Sequence, residues 1–233
     1  MTCEELAAAG FAVGPAAYAR LARFVELLLL ENRRLNLTAL RDSEQVWRLH
    51  VCESLALLPL VAAQRPRRLL DLGTGGGIPG LPLACVTEGM ELVLLDAIRK
   101  KVEAIERMVA RLELANVRTL WGRAETLAHE PQYREVFDAV TARAVAALPV
   151  VVEYGAAFVR LGGQCWFAKP PAAVEREVAG AQAAADRCGL EYVGSHGFRV
   201  PDGPARVVLI YHKRRPTPEN LPRPPGRPER RPL

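Results

Sequence analysis

Over the first third of the chain, apolar positions recur at intervals of three and four. In AAYARLARFVELLLLENRRLNL, Tyr18, Leu21, Ala22, Val25, Leu28 and Leu29 fall on one face with arginines and glutamates opposite, which predicts an amphipathic helix. The Leu27 to Leu30 run belongs to its core side. A second helical pattern covers SEQVWRLHVCESLALLPLV, with Ser43 as the expected cap and Val46, Leu49, Val51, Leu55 and Leu58 as core positions.

After Arg65 the period changes. RRLLDLG, ELVLLDA, VRTLWG, VFDAVTARAV, GQCWFAK, EYVGSHGFRV and ARVVLIYH are short apolar runs of strand type. Helical stretches such as IRKKVEAIERMVARLELA and AAVEREVAGAQAAADRCG lie between several of them. This alternation predicts an α/β fold with a doubly wound, mostly parallel sheet that binds ligands at the carboxyl ends of its strands. Only PDGPA separates the last two runs, too little for a parallel crossover, so a C-terminal antiparallel hairpin is expected. Three parts result: an N-terminal helical part (1–65), a ligand-binding α/β domain (66–212) and a tail (213–233).

Charge separates the tail from the rest. Of 31 basic and 26 acidic residues, seven and two lie beyond His212, so residues 1–212 are formally neutral and the tail carries the net +5. Seven of its 21 residues are proline, which favours an extended, solvated arm. Such an arm either binds phosphates or only keeps the protein soluble. The five cysteines are scattered without a C-x-x-C pair, so neither a disulfide framework nor a metal site is expected. No apolar run approaches the roughly 20 residues of a membrane helix and the N-terminus lacks signal-peptide order, so a cytoplasmic protein with no membrane partner is expected.

The candidate chemistry begins at LLDLGTGGGIPG, residues 69–80. Gly75, Gly77 and Gly80 fit the dinucleotide fingerprint G-x-G-x-x-G, whereas Gly73, Gly75 and Gly77 behind Asp71 fit the G-x-G-x-G loop of class I methyltransferases. A carboxylate at the first strand end repels a pyrophosphate but attracts an ammonium, which favours S-adenosylmethionine. Asp96, ending the second strand, suits the ribose hydroxyls of either cofactor. Ala124 and Glu125 follow the third strand, where an adenine edge can be hydrogen-bonded. Thr141 to Arg143 end the fourth.

With NLTALRD (36–42), LDLGTGGGIPGLPLA (70–84), LLDAIRKKVEAIE (94–106), WGRAETL (121–127) and TARAVAAL (141–148), the chain resembles the GidB, or RsmG, family through nearly its whole length. Members are bacterial enzymes that methylate N7 of one guanosine in the decoding-region loop of 16S ribosomal RNA. The resemblance implies a Rossmann-like class I methyltransferase sheet with an N-terminal helical extension. It further implies that Gly73 and Ile78 line the methionine end of S-adenosylmethionine and that Asp96, Ala97 and Ile98 surround its ribose and adenine. Ala124 and Glu125 then hold the adenine, with Arg143 near the cofactor carboxylate and the reaction centre. The implied partner is 16S rRNA or an assembling 30S particle, bound by a monomer. Three positions depart from the family pattern: Glu53 stands where many members carry aspartate, Pro170 and Pro171 follow Lys169 where glycine is common, and Val207 follows Arg206 where histidine is common.

Guanine N7 carries an exposed lone pair, so no general base is required; the tasks are near-attack geometry and exclusion of water. Glu53, Trp166 and the backbone at Thr141 to Arg143 are candidates to face the base. Among the histidines, only His50 lies in a family-like segment. Lys169, Arg206, Arg214 and Arg215 are the candidate RNA contacts. Two other readings remain at this level: a nucleotide-dependent reductase, which lacks a recognisable hydride-transfer pair, and a non-catalytic RNA-binding assembly protein, for which a broken glycine loop is expected.

Overall fold

The computed structural model describes residues 1–200 and 203–233. Five strands, β1 (Arg68–Leu72), β2 (Glu91–Asp96), β3 (Val117–Trp121), β4 (Phe137–Arg143) and β5 (Val159–Lys169), run parallel, and β6 (Leu190–Arg199) and β7 (Ala205–Lys213) complete a seven-stranded sheet of order β3-β2-β1-β4-β5-β7-β6. β7 is antiparallel to both its neighbours, as the short connection requires. Within that connection, Pro201 and Asp202 lie outside the described residues. Strands β1 and β2 are buried beyond their first residue because helices cover both faces, whereas edge strand β6 alternates between more and less exposed positions.

Eleven α-helices are found among the described residues. α1 (Cys3–Ala8), α2 (Pro15–Asn32), α3 (Ser43–Val46), α4 (Glu53–Leu55) and α5 (Leu58–Gln64) precede the sheet. The others are α6 (Gly80–Val86), α7 (Arg99–Leu112), α8 (Ala124–Leu127), α9 (Leu148–Phe158), α10 (Val174–Cys188) and α11 (Arg227–Arg230). Asp42 rather than Ser43 caps α3, its carboxylate accepting from Gln45 N at 3.0 Å. A π-helical stretch, Trp47–Cys52, links α3 to α4. Contrary to the sequence reading, the combined run Ser43–Gln64 is long and apolar enough to cross a membrane by length and composition. Its apolar side chains are instead used inside the fold: Val46, Trp47, Val51 and Leu55 share one core with Leu21, Phe24 and Leu28 of α2 and Leu69, Leu92 and Leu94 of the sheet. The N-terminal helices therefore extend one helical layer. α9, α10 and the opposite sheet face form the second core.

The tail corrects the expectation of a free, solvated arm. Lys213 is buried, its ammonium 2.9 Å from Glu135 and bonded to Ala156 O at 2.6 Å and to Thr217 Oγ1. Arg134 donates to the carbonyls of Thr217, Pro218 and Leu221, and Leu221 enters the second core. Arg223 then grips Glu153 of α9 through Nε, Nη2 and its backbone N–H at 2.6 to 3.2 Å. The chain ends in α11, seated on α9. Proline content here stiffens a docked strap whose anchors are three buried or half-buried side chains.

Candidate active site

In this sheet order the connections leave β1 and β4 in opposite directions, and two cavities open at their carboxyl ends, where such sheets bind ligands. The smaller, about 90 Å³, includes Gly73, Asp96, Ala97, Ala124, Glu125 and Tyr154 in its lining. The larger, about 490 Å³, includes His50, Glu53, Thr141, Arg143, Lys169 and Arg206. Ala144, in the left-handed region at φ 55°, lines the larger and Val145 the smaller, so the turn after β4 partitions the two.

The glycine loop is wired to both neighbouring carboxylates. Asp96 Oδ2 accepts from Gly75 N at 2.9 Å and Oδ1 from Ile98 N at 2.8 Å. A carboxylate offers about four lone-pair sites, so Asp96 retains acceptor capacity toward the cavity. Asp71 acts differently from the sequence expectation. It is wholly buried, Oδ2 accepting from Thr74 Oγ1 at 2.7 Å and Gly80 N at 2.9 Å, and Oδ1 has no hydrogen-bond partner. Burial pushes its carboxyl up to about 6. Asp71 thus braces the loop from inside and offers no surface to an incoming ammonium. Gly73 adopts φ 69°, and a Cβ there would stand 2.6 Å from Val145 Cγ2, so the position keeps the cavity floor at backbone level.

The candidates divide. Gly73, Asp96, Ala97, Ala124 and Glu125 come together around the small cavity, whereas Ile78 packs into the core and Ile98 is 51 % exposed. Gly75 and Gly77 shape the loop behind it. Arg143 points into the larger cleft: Nη1 donates to Glu53 Oε2 at 2.8 Å and Leu49 O at 2.9 Å, and Nη2 lies 2.6 Å from His50 Nδ1. Nδ1 also lies 2.9 Å from Leu49 O, which can only accept, while the guanidinium can only donate, and Nε2 faces Thr38 Oγ1 at 2.7 Å. Burial, with Arg143 beside it, pushes His50 down to about 4, leaving the imidazole neutral near neutral pH.

Glu53 also lies 2.9 Å from Arg206 Nε, close enough for an ion pair although the angle is poor for a hydrogen bond. Lys169 pairs with Glu177 at 2.8 Å across the same cleft. Arg214 and Arg215 do not join them. They follow the far end of β7, Arg214 against Glu191 and Arg215 on Asp186 O, while Arg206 begins that strand at the cleft. Trp166 is fully buried, with no face free for a base. Sequence reasoning missed Phe198, at the cleft, and three residues at the small cavity: Tyr154, the tail's Gly226 N–H on Glu125, and Glu229. The pattern of α9 marks Tyr154 only as apolar, and nothing local ties residue 226 to residue 125.

Residues 17–198 match the GidB family, described as rRNA small subunit methyltransferase G. The ribosomal RNA small subunit methyltransferase G of Deinococcus radiodurans is 41 % identical over 213 residues, covering 91 % of this chain and 84 % of the relative. That of Carboxydothermus hydrogenoformans is 39 % identical over 212 residues, covering 91 % and 89 %. Among solved structures, an O-methyltransferase from Bacillus cereus in complex with SAH superposes with a TM-score of 0.58 at 18 % identity, covering 82 % of this chain and 90 % of the other. At that identity the likeness is one of fold.

Proposed function

The chain belongs to the GidB family of rRNA small subunit methyltransferases, and from that premise we propose that it methylates guanine N7 in the decoding-region loop of 16S rRNA. S-adenosylmethionine is its methyl donor and, when bound, supplies an electrophilic sulfonium methyl. The observation that carries the reading is the pairing of a small cavity lined by Asp96 and Glu125 with a larger cleft that carries Arg143, Lys169 and Arg206, across one turn, Arg143 to Val145.

The residues present suit that cofactor. Gly73 keeps a side chain out of the space, Asp96 retains lone pairs for ribose hydroxyls, and Glu125 presents an acceptor past β3. Ala97 and Ala124 add small walls. On the other side of the turn, the cleft's own groups favour binding over proton transfer. His50 is neutral and packed against Arg143, and with its pKa pushed down to about 4 it is a weak base that helps to hold Arg143 in place. This agrees with a nucleophile that needs no base.

Glu53 sits between Arg143 and Arg206, and its carboxylate offsets part of the positive charge that these guanidiniums and an N7-alkylated base bring to the cleft. Lys169 and Arg206 offer donors to the guanine carbonyl or its phosphate. The pocket's apolar rim, Leu49, Leu57, Phe198 and Val208, helps to exclude water. We assign the substrate as 16S rRNA, naked or in an assembling 30S particle, and the active form as a cytoplasmic monomer. Incubation with labelled S-adenosylmethionine and 16S rRNA, then nuclease mapping, tests the reading: label confined to one decoding-loop guanosine, lost when N7 is replaced by carbon, is expected. Label elsewhere, or none on any 16S-containing substrate, overturns it.

A further inference from the structure

The C-terminal strap reaches the small cavity from a distance of more than 100 residues in sequence. Gly226 N donates to Glu125 Oε1 at 3.0 Å, and Glu229 lines the cavity mouth. Glu125 is only 3 % exposed, and its other donors, Tyr154 O–H at 3.1 Å and Arg123 Nη2 at 3.3 Å, also land on Oε1. Burial and Glu125 hold the Tyr154 phenol well above its ordinary range, so it stays a donor. With three donors on one oxygen, Oε2 is the oxygen left for the cavity.

Gly226 stands at φ 76°, where a side chain is strained, and opens α11. Pro228 of that turn is buried, and Arg223 is clamped on Glu153 three residues upstream of Gly226. The strap therefore arrives at Glu125 in one orientation rather than as a loose end. A ribose held by Asp96 directs its base toward the neighbouring strand β3, after which Glu125 lies. An oriented carboxylate there accepts from a base that carries an exocyclic amino group and repels one that presents a carbonyl at the same position.

We infer that the C-terminal strap is a working part of the cofactor site: Gly226 is a positioning residue that turns Glu125 Oε2 toward the 6-amino group of the cofactor's adenine, and Glu229 closes the cavity mouth. This rests on the S-adenosylmethionine reading above. The basic, proline-rich tail thereby sets cofactor selectivity at the end of the sheet where methyl transfer occurs.

The test compares S-adenosylhomocysteine with its 6-deaminated inosyl analogue by calorimetry on the full chain and on full-length Pro228→Asp, which unseats α11. A lost charged hydrogen bond is worth roughly tenfold or more in affinity, so the full chain should prefer the adenosyl ligand by at least that ratio. In Pro228→Asp the preference should shrink to within about threefold while circular dichroism stays native. A chain ending at Pro225, which keeps Arg223 on Glu153, should behave alike and replaces Pro228→Asp if that variant does not fold. Equal weakening of both ligands with the ratio preserved would reduce the strap to a structural role and overturn the proposal. A full chain that binds neither ligand would instead remove its premise, a result distinguishable because it appears before any substitution.

Discussion

Replacing Arg223 by methionine separates a docked strap from a free arm. Glu153 is 0 % exposed, and four of its contacts come from Arg223: the backbone N–H at 2.7 Å, Nε at 3.0 and 3.2 Å, and Nη2 at 2.6 Å. Arg223→Met leaves that carboxylate buried with a single backbone donor. Removing one partner of a buried pair costs about 3–5 kcal/mol, since the remaining charge has neither water nor counter-ion. For a chain of this size about 1 kcal/mol shifts Tm by roughly 2–4 °C, so a drop of about 6–20 °C is expected. The double variant Arg223→Met, Glu153→Met removes the stranded charge and should recover most of the loss, because an apolar pair of similar volume is about neutral or better. Urea unfolding followed by the fluorescence of Trp47, Trp121 and Trp166 gives the free energies. A solvated arm would show a change within about 0.5 kcal/mol, as surface substitutions do. A single-variant loss below about 1 kcal/mol, or a double variant no better than the single, would refute the docked strap.

Asp96→Ala removes an acceptor for ribose and also releases Gly75 N and Ile98 N, so the dissociation constant for S-adenosylhomocysteine should rise at least about tenfold, charged hydrogen bonds being worth roughly 1.5–3 kcal/mol; an unchanged value would take Asp96 off the ribose. His50 has a folded pKa of about 4 against about 6.5 unfolded, so its contribution to stability is complete above pH 6.5 and is lost as pH falls toward 4. The wild type should lose roughly 3 kcal/mol across that window that His50→Gln does not, and parallel pH profiles of the two would contradict a buried neutral imidazole. Arg214→Gln with Arg215→Gln, at the sheet end away from the cleft, should leave the slope of log RNA affinity against log salt unchanged; flattening by about 1.4–1.8 would put both on phosphates.

Local pattern alone determined much of this protein. Seven strand runs, their helical connections and the antiparallel hairpin follow from period, length and turn composition, because the side chains that must face a core recur at spacings set by backbone geometry. The glycine loop, with Asp96 about 20 residues on, was legible for the same reason: a tight backbone approach and a strand-end carboxylate leave marks in adjacent residues. Pairings between remote segments leave none. Tail composition predicted a solvated arm, since arginine and proline report solubility and stiffness but not the buried partner 70 residues away that Glu153 supplies. Asp71 looked like an open anion and is wholly enclosed; His50 stood out only for lying in a family-like segment, and the fold sets it against an arginine 93 positions later. Burial and long-range hydrogen bonding set a group's charge and direction, and both come into existence only when the chain closes on itself.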